Sequence, residues 1–140
     1  MDEAVILPKL ESLSRCMERI RHKTPDSAQA LAADHDLQDI ISVNLERAIQ
    51  LCVDIAAHSL AERNTPAPQS MAESFDQLCN EGIIPQDLAL RLRKAVGFRN
   101  ISVHAYYKID WEIVYAIVTQ RLDDFSHFAR CMGEPGAPRD

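Results

Sequence analysis

Residues 36–63 read DLQDIISVNLERAIQLCVDIAAHSLAER, with Leu37, Ile41, Leu45, Ala48, Cys52, Ile55 and Ser59 recurring at steps of three and four. That repeat puts all seven on one side of a long helix, the stripe a helix turns toward a core. Asn64-Thr65-Pro66-Ala67-Pro68 then ends it, since proline cannot continue a helix and disfavours it in the preceding residue.

Toward the N-terminus, Ile6, Leu10, Leu13, Met17 and Ile20 draw a second stripe, predicting a first helix from about Glu3 to His22. The turn chemistry of Thr24-Pro25-Asp26-Ser27 separates the two. Toward the C-terminus, Ser70 and Glu73 form a capping-box pattern ahead of Met71, Phe75, Leu78 and Cys79, and Gly82 marks a left-handed stop. Pro85 suits the first turn of a fourth helix with Leu88, Leu92, Ala95 and Val96 on its face, weakened at Gly97. Asp110 is a plausible N-cap for a fifth, with Trp111, Val114, Val118, Leu122, Phe125 and Ala129 inward. Four long helices and one short one, joined by short connections, predict an all-α, up-and-down bundle over residues 1–132, followed by a disordered tail over residues 133–140. The apolar stripes are wide, and a homodimer is the expected way to bury the surplus.

With 140 residues, 46% hydrophobic and 26% charged, the chain has the size and composition of one globular domain. Its net charge of −6 lacks the basic footprint of a general nucleic-acid binder, so any such site must be local, and no DNA partner is expected. Cys16, Cys52, Cys79 and Cys131 are far apart and read as small core residues, suggesting no metal site. His22, His35 and His127 have no partner at metal-ligand spacing. The acidic start Met1-Asp2-Glu3-Ala4 is unlike a signal peptide, and no apolar run is long enough to span a bilayer. A cytoplasmic location away from membranes follows as the expectation.

The chemistry concentrates in Arg99-Asn100-Ile101-Ser102-Val103-His104-Ala105-Tyr106, where Ile101 and Val103 are suited to anchor the stretch to the core. If this stretch is helical, Asn100 and His104 lie four apart on one face, and the amide is placed to orient the imidazole. A guanidinium offers a planar fork of donors to a phosphate, and an imidazole exchanges protons near neutrality. That pair suits RNA cleavage without a metal: His104 as general base or acid, Arg99 stabilising charge on the phosphoryl oxygens. One histidine is thin for a step needing both an acid and a base, and a two-fold dimer would face two copies of the segment. Equally open on these residues alone is a helix end at which Arg99 and His104 merely cap carbonyls.

The string resembles the R-x-x-x-x-H signature of HEPN domains, with asparagine directly after the arginine. Extended to Gly97-Phe98-Arg99-Asn100-Ile101-Ser102-Val103-His104-Ala105-Tyr106 with Ile109-Asp110, it looks like the R-x-x-x-x-H-x-Y form of HepT-like toxins. Residues 45–58, LERAIQLCVDIAAH, resemble that family's second helix. The resemblance implies a helical homodimer acting as the toxin ribonuclease of a type VII toxin–antitoxin pair. It also implies a partner, a small nucleotidyltransferase antitoxin of the MntA kind that uses ATP. Arg99 and His104 carry over as catalytic residues, Asn100 as a supporting one, and Tyr106 as the residue that receives AMP; the toxin itself needs no cofactor. AMP on Tyr106 would set phosphate charge beside Arg99 and His104 and compete with RNA for them. Tyr107 follows directly, and only the motif spacing favours Tyr106. Ala105 stands where an acidic residue is common in the family.

Two further groups bear on the site. Arg47, Gln50, Asp54 and His58 form a polar stripe along the second helix, either solvated or lining the cleft, with Asp54 as the supporting residue most worth testing. Arg91, Arg93, Lys94 and Lys108 gather positive charge near Arg99, either as an RNA-binding face or as charges favouring a helix C-terminus. Besides a ribonuclease, the sequence allows a non-catalytic module that holds RNA or a nucleotide, and a bundle that only binds a partner.

Overall fold

The long amphipathic stretch folds as a single helix at the centre of the molecule. The computed structural model describes residues 3–133, and among these there is no strand. In chain order the helices are α1 (Glu3–Lys23), α2 (Ala28–Ala32), α3 (His35–Ala61), α4 (Met71–Asn80), α5 (Gln86–His104), α6 (Trp111–Gln120) and α7 (Asp123–Cys131), with a 3-10 turn (Tyr106–Lys108) between α5 and α6. The all-α expectation is met, and residues 134–140 of the expected disordered tail lie outside the described residues.

α3 begins at Asp34, whose carboxylate accepts the Leu37 amide at 3.1 Å, satisfying one of the donors a helix start leaves open. Of its expected inward stripe, Ile41, Leu45, Ala48, Cys52, Ile55 and Ser59 are buried, and so are Ile49, Val53, Ala56 and Leu60 on the neighbouring face. The helix is covered on most of its circumference because α1 packs along one side while α4, α5 and α7 pack along others. Burying each of the Ile, Leu and Val side chains among these buried residues stabilises the fold by about 1.5–3 kcal/mol. Phe75 of α4 meets Phe128 of α7 edge to face at 5.9 Å between centroids, closing the bundle at the far side.

The structure departs from the five-helix expectation in three places. First, α2 is an additional one-turn helix: Ser27 accepts the Ala30 amide at 3.1 Å, and its fully buried Leu31 docks it. The buried Gln38 amide closes its end by donating to the carbonyls of Leu31 and Ala32, at 3.0 and 3.1 Å. Five residues are too few to display a period, so sequence pattern passes over such a turn.

Second, α5 does not weaken at Gly97 but runs on to His104. Phe98 and Ala95 pack against the core and Val96 is buried, and this packing outweighs the roughly 1 kcal/mol that a mid-helix glycine costs. Third, the expected fifth helix is two, α6 and α7. The Thr119 hydroxyl donates back to the Tyr115 carbonyl at 2.7 Å, a bond that bends helices, and after Arg121 the amides of Asp124 and Phe125 bond three residues back rather than four. Val114, Val118, Leu122 and Phe125 are all buried despite the break, so their spacing could not reveal it.

No described helix is long and apolar enough to cross a membrane, and Cys16, Cys52 and Cys131 are buried in the core.

Candidate active site

Arg99, Asn100 and His104 occupy the last two turns of α5, and the helix carries Asn100 and His104 four apart on one face. Arg99 and His104 are five apart, roughly 140° around an ideal helix axis, so one chain presents them on different faces. The sequence reading anchored this stretch through Ile101 and Val103, and the structure corrects that. Both are exposed, at 45% and 48%, while Ser102 between them is buried. The helical period decides the matter: Val96, half-buried Arg99 and Ser102 follow one another at steps of three along the side that faces the bundle.

Ser102 ties the stretch to α3 by donating its hydroxyl to the Glu46 carboxylate. The side chains of Arg99, Asn100 and His104 make no hydrogen bond or ion pair with any described residue. Hence Asn100 does not hold the imidazole here, and neither Arg99 nor His104 caps a helix carbonyl. Three polar functions with no structural employment at a helix end are available for a ligand.

Ala105 ends α5, its amide still donating to the Ile101 carbonyl at 2.8 Å, and the chain turns through the 3-10 segment back toward α3. The turn brings Tyr106 over the start of that helix. Its hydroxyl donates to Asp39 Oδ1 at 2.7 Å, and its ring packs edge to face on Trp111 at 5.8 Å between centroids. Burial pushes the phenol above its ordinary pKa, and the Asp39 carboxylate beside it acts in the same direction, partly opposed by Ser42. Tyr106 nevertheless remains 40% exposed. Tyr107 points outward at 82% exposure, with the Lys108 ammonium 5.8 Å from the centre of its ring.

The remaining candidates are dispersed. Asp54 accepts from Gln50 at 2.8 Å and lies 4.0 Å from Lys9, so its partners belong to the α1–α3 side rather than to Arg99 or His104. There it lines a cavity of about 480 Å³ together with Arg15, Arg19 and Arg47. Arg91 is held by Asp124 at 2.9 Å and Asp87 at 3.3 Å, and Arg93 by Asp76 at 2.9 Å. Lys94 and Lys108 form no ion pair with a described residue. Asp39 escaped the sequence reading, because nothing local to it signals a tyrosine 67 positions further on. Among the described residues, no three His, Cys, Asp or Glu side chains cluster as a metal site would require.

A family model described as "Ribonuclease HepT-like" matches residues 13–132. A curated mRNA nuclease HepT from Shewanella oneidensis is 37% identical over 124 residues, 89% of this chain and 92% of the relative. A tRNA nuclease HepT from Aphanizomenon flos-aquae is 23% identical over 93% of this chain and 88% of the relative. In the solved complex of the tri-AMPylated Shewanella oneidensis HEPN toxin with its MNT antitoxin, a chain 35% identical superposes with a TM-score of 0.89, covering 96% of this chain and all of that one. With the family model spanning most of the chain and the fold shared along its length, this protein belongs to the HepT-like ribonuclease family.

Proposed function

We propose that this chain is the toxin of a toxin–antitoxin pair of type VII: a cytoplasmic endoribonuclease, active as a homodimer, that a nucleotidyltransferase antitoxin silences by transferring AMP from ATP to Tyr106. The observation that carries the reading is the pair Arg99 and His104 on the last turns of α5, their side chains without a partner among the described residues, in a chain of a ribonuclease family.

In the reaction the ribose 2′-hydroxyl attacks the adjacent phosphorus, the P–O bond to the 5′-oxygen breaks, and a 2′,3′-cyclic phosphate and a 5′-hydroxyl result. One His104 takes the 2′-proton, the His104 of the second copy donates to the leaving oxygen, and Arg99 carries the charge growing on the non-bridging oxygens. Neither proton transfer needs a metal. Asn100, on the His104 face, steadies the imidazole once RNA is bound. Two observations favour a dimer: a single copy offers Arg99 and His104 on different faces, and Ile101 and Val103, between them in the sequence, expose apolar surface. Lys94 and Lys108, which form no ion pair with a described residue, are the cations best placed to hold the RNA backbone, whereas Arg91 and Arg93 would first have to leave their carboxylates. Asp54, engaged with Gln50 and Lys9, would support the site only through the polar stripe of α3.

The family's tri-AMPylated relative supports the silencing step. AMP on Tyr106, two residues beyond His104, sets phosphate charge where the RNA phosphate must sit. The test is RNA cleavage by the purified protein beside Arg99→Ala and His104→Ala. Each substitution is expected to lower the rate by about 100-fold or more, within the range for lost acid–base or oxyanion stabilisation. Equal cleavage by all three proteins would reject the assignment, and RNA binding without turnover would favour the non-catalytic module.

A further inference from the structure

We propose that Asp39 is the proton acceptor for the Tyr106 hydroxyl when that oxygen takes up AMP, and that this carboxylate, rather than exposure, selects Tyr106 over Tyr107. The inference rests on the adenylylation reading above and adds to it a residue of this chain that takes part in the antitoxin's reaction.

The starting point is a mismatch between accessibility and chemistry. Tyr107 is the more exposed of the two, at 82% against 40%, and on access alone it would be the better acceptor. Its hydroxyl, however, has no hydrogen-bond partner among the described residues, and the Lys108 ammonium lies over its ring. Tyr106 has its hydroxyl hydrogen aimed at Asp39 Oδ1 at 2.7 Å. A neutral phenol is a weak nucleophile, and burial together with Asp39 raises its pKa, so a phenolate does not form beforehand. The proton must leave as the new bond forms, and a positioned acceptor is required.

Asp39 meets the geometric demands of that role. It stands in the second turn of the 27-residue α3, a rigid support, and the Trp111 ring packs edge to face on the phenol. It is exposed, so the proton it receives can pass to water. In the step, Tyr106 Oη attacks the α-phosphorus of ATP, the bond from that phosphorus to the β-bridging oxygen breaks, and pyrophosphate leaves. The phenolic proton moves to Asp39 Oδ1 and then to solvent. As the O–P bond forms, the oxygen loses electron density and its proton acidifies, so a carboxylate suffices, as it does for hydroxyl nucleophiles in phosphoryl transfer. The product has no proton for Asp39 to accept and puts a phosphodiester anion beside it.

The experiment follows AMP incorporation by intact-protein and peptide mass spectrometry, with the cognate nucleotidyltransferase, ATP and magnesium, at several transferase concentrations. Asp39→Asn is expected to slow single-turnover modification of Tyr106 by about 100-fold while the half-saturating transferase concentration is unchanged. Asp39→Glu is expected to recover most of the rate. Asp39→Ala is expected to be slow, to regain rate on adding formate, and to carry a larger share of its AMP on Tyr107. The proposal is overturned if Asp39→Asn is modified on Tyr106 at the wild-type rate, or if its loss lies wholly in transferase binding with no rescue by Glu or formate. Circular dichroism of each variant separates these results from a lost fold, and formate rescue of the alanine protein needs no second substitution. A Tyr106→Phe control distinguishes the two levels: if it takes up AMP as fast as the wild type, the adenylylation reading falls together with the role of Asp39.

Discussion

Arg99, Asn100 and His104 were legible in the sequence because their relation is local: three positions within one helical segment, whose spacing survives whatever the rest of the chain does. Asp39 was not, since its link to Tyr106 depends on the 3-10 turn that folds the segment back onto α3. The same distinction explains Asp54, whose place on the polar stripe was foreseen but whose partners, Gln50 and Lys9, could not be. A titration tests the residue-level picture. The ordinary phenol pKa is about 10, and that of Tyr106 is raised. The stability linked to this phenol is therefore fully present below about pH 10 and is lost as pH rises through the raised value. In a spectrophotometric titration, Tyr106 should ionise above the ordinary phenol value. Asp39→Asn should move it down without bringing it to the ordinary value, because burial, the larger cause, remains. An unchanged titration in Asp39→Asn would show that the hydrogen bond is absent in solution.

At the scale of the element, hydrophobic period located every long helix, because each must turn one side to the core. It failed where the backbone changed without moving that side: the α6–α7 break leaves Val118, Leu122 and Phe125 in register with the core. Glycine shows how context settles what residue type leaves open. Gly82 has φ +75° at the end of α4, where Ile83 and Gly82 donate back to the carbonyls of Leu78 and Cys79, both at 2.9 Å. Gly97 sits inside α5, and a Cβ there meets nothing within 4 Å. Gly82→Ala is expected to cost about 1 kcal/mol through left-handed strain, and Gly97→Ala to gain about 0.5–1 kcal/mol through helix propensity, both read by thermal unfolding. Equal effects at the two positions would contradict the assigned backbone. The extension of α5 through Gly97 bears on the proposed site as well, because a helix ending there would leave Arg99 to His104 without the fixed angular relation that separates them.

At the scale of the whole molecule, the net charge of −6 leaves local cations available for the proposed RNA site: carboxylates occupy Arg91 and Arg93, while Arg99, Lys94 and Lys108 form no ion pair with a described residue. The apolar side chains left outside are as informative as those within, since Ile101 and Val103 flank the candidate site rather than anchoring it. Light scattering is expected to give twice the chain mass. Ile101→Asp is expected to shift the protein toward monomer, keep its helical content, and lower RNA cleavage by about 100-fold, as loss of the second His104 requires. A monomeric variant with full activity would show that one copy of the site is sufficient.

The most direct test of the catalytic reading is end-group analysis of a short RNA incubated with the purified protein in the presence of a metal chelator, beside Arg99→Ala and His104→Ala. The expected result is cleavage by the wild type leaving a 2′,3′-cyclic phosphate, with both variants slowed by about 100-fold or more. Cleavage abolished by the chelator, or His104→Ala cutting at the wild-type rate, would contradict it.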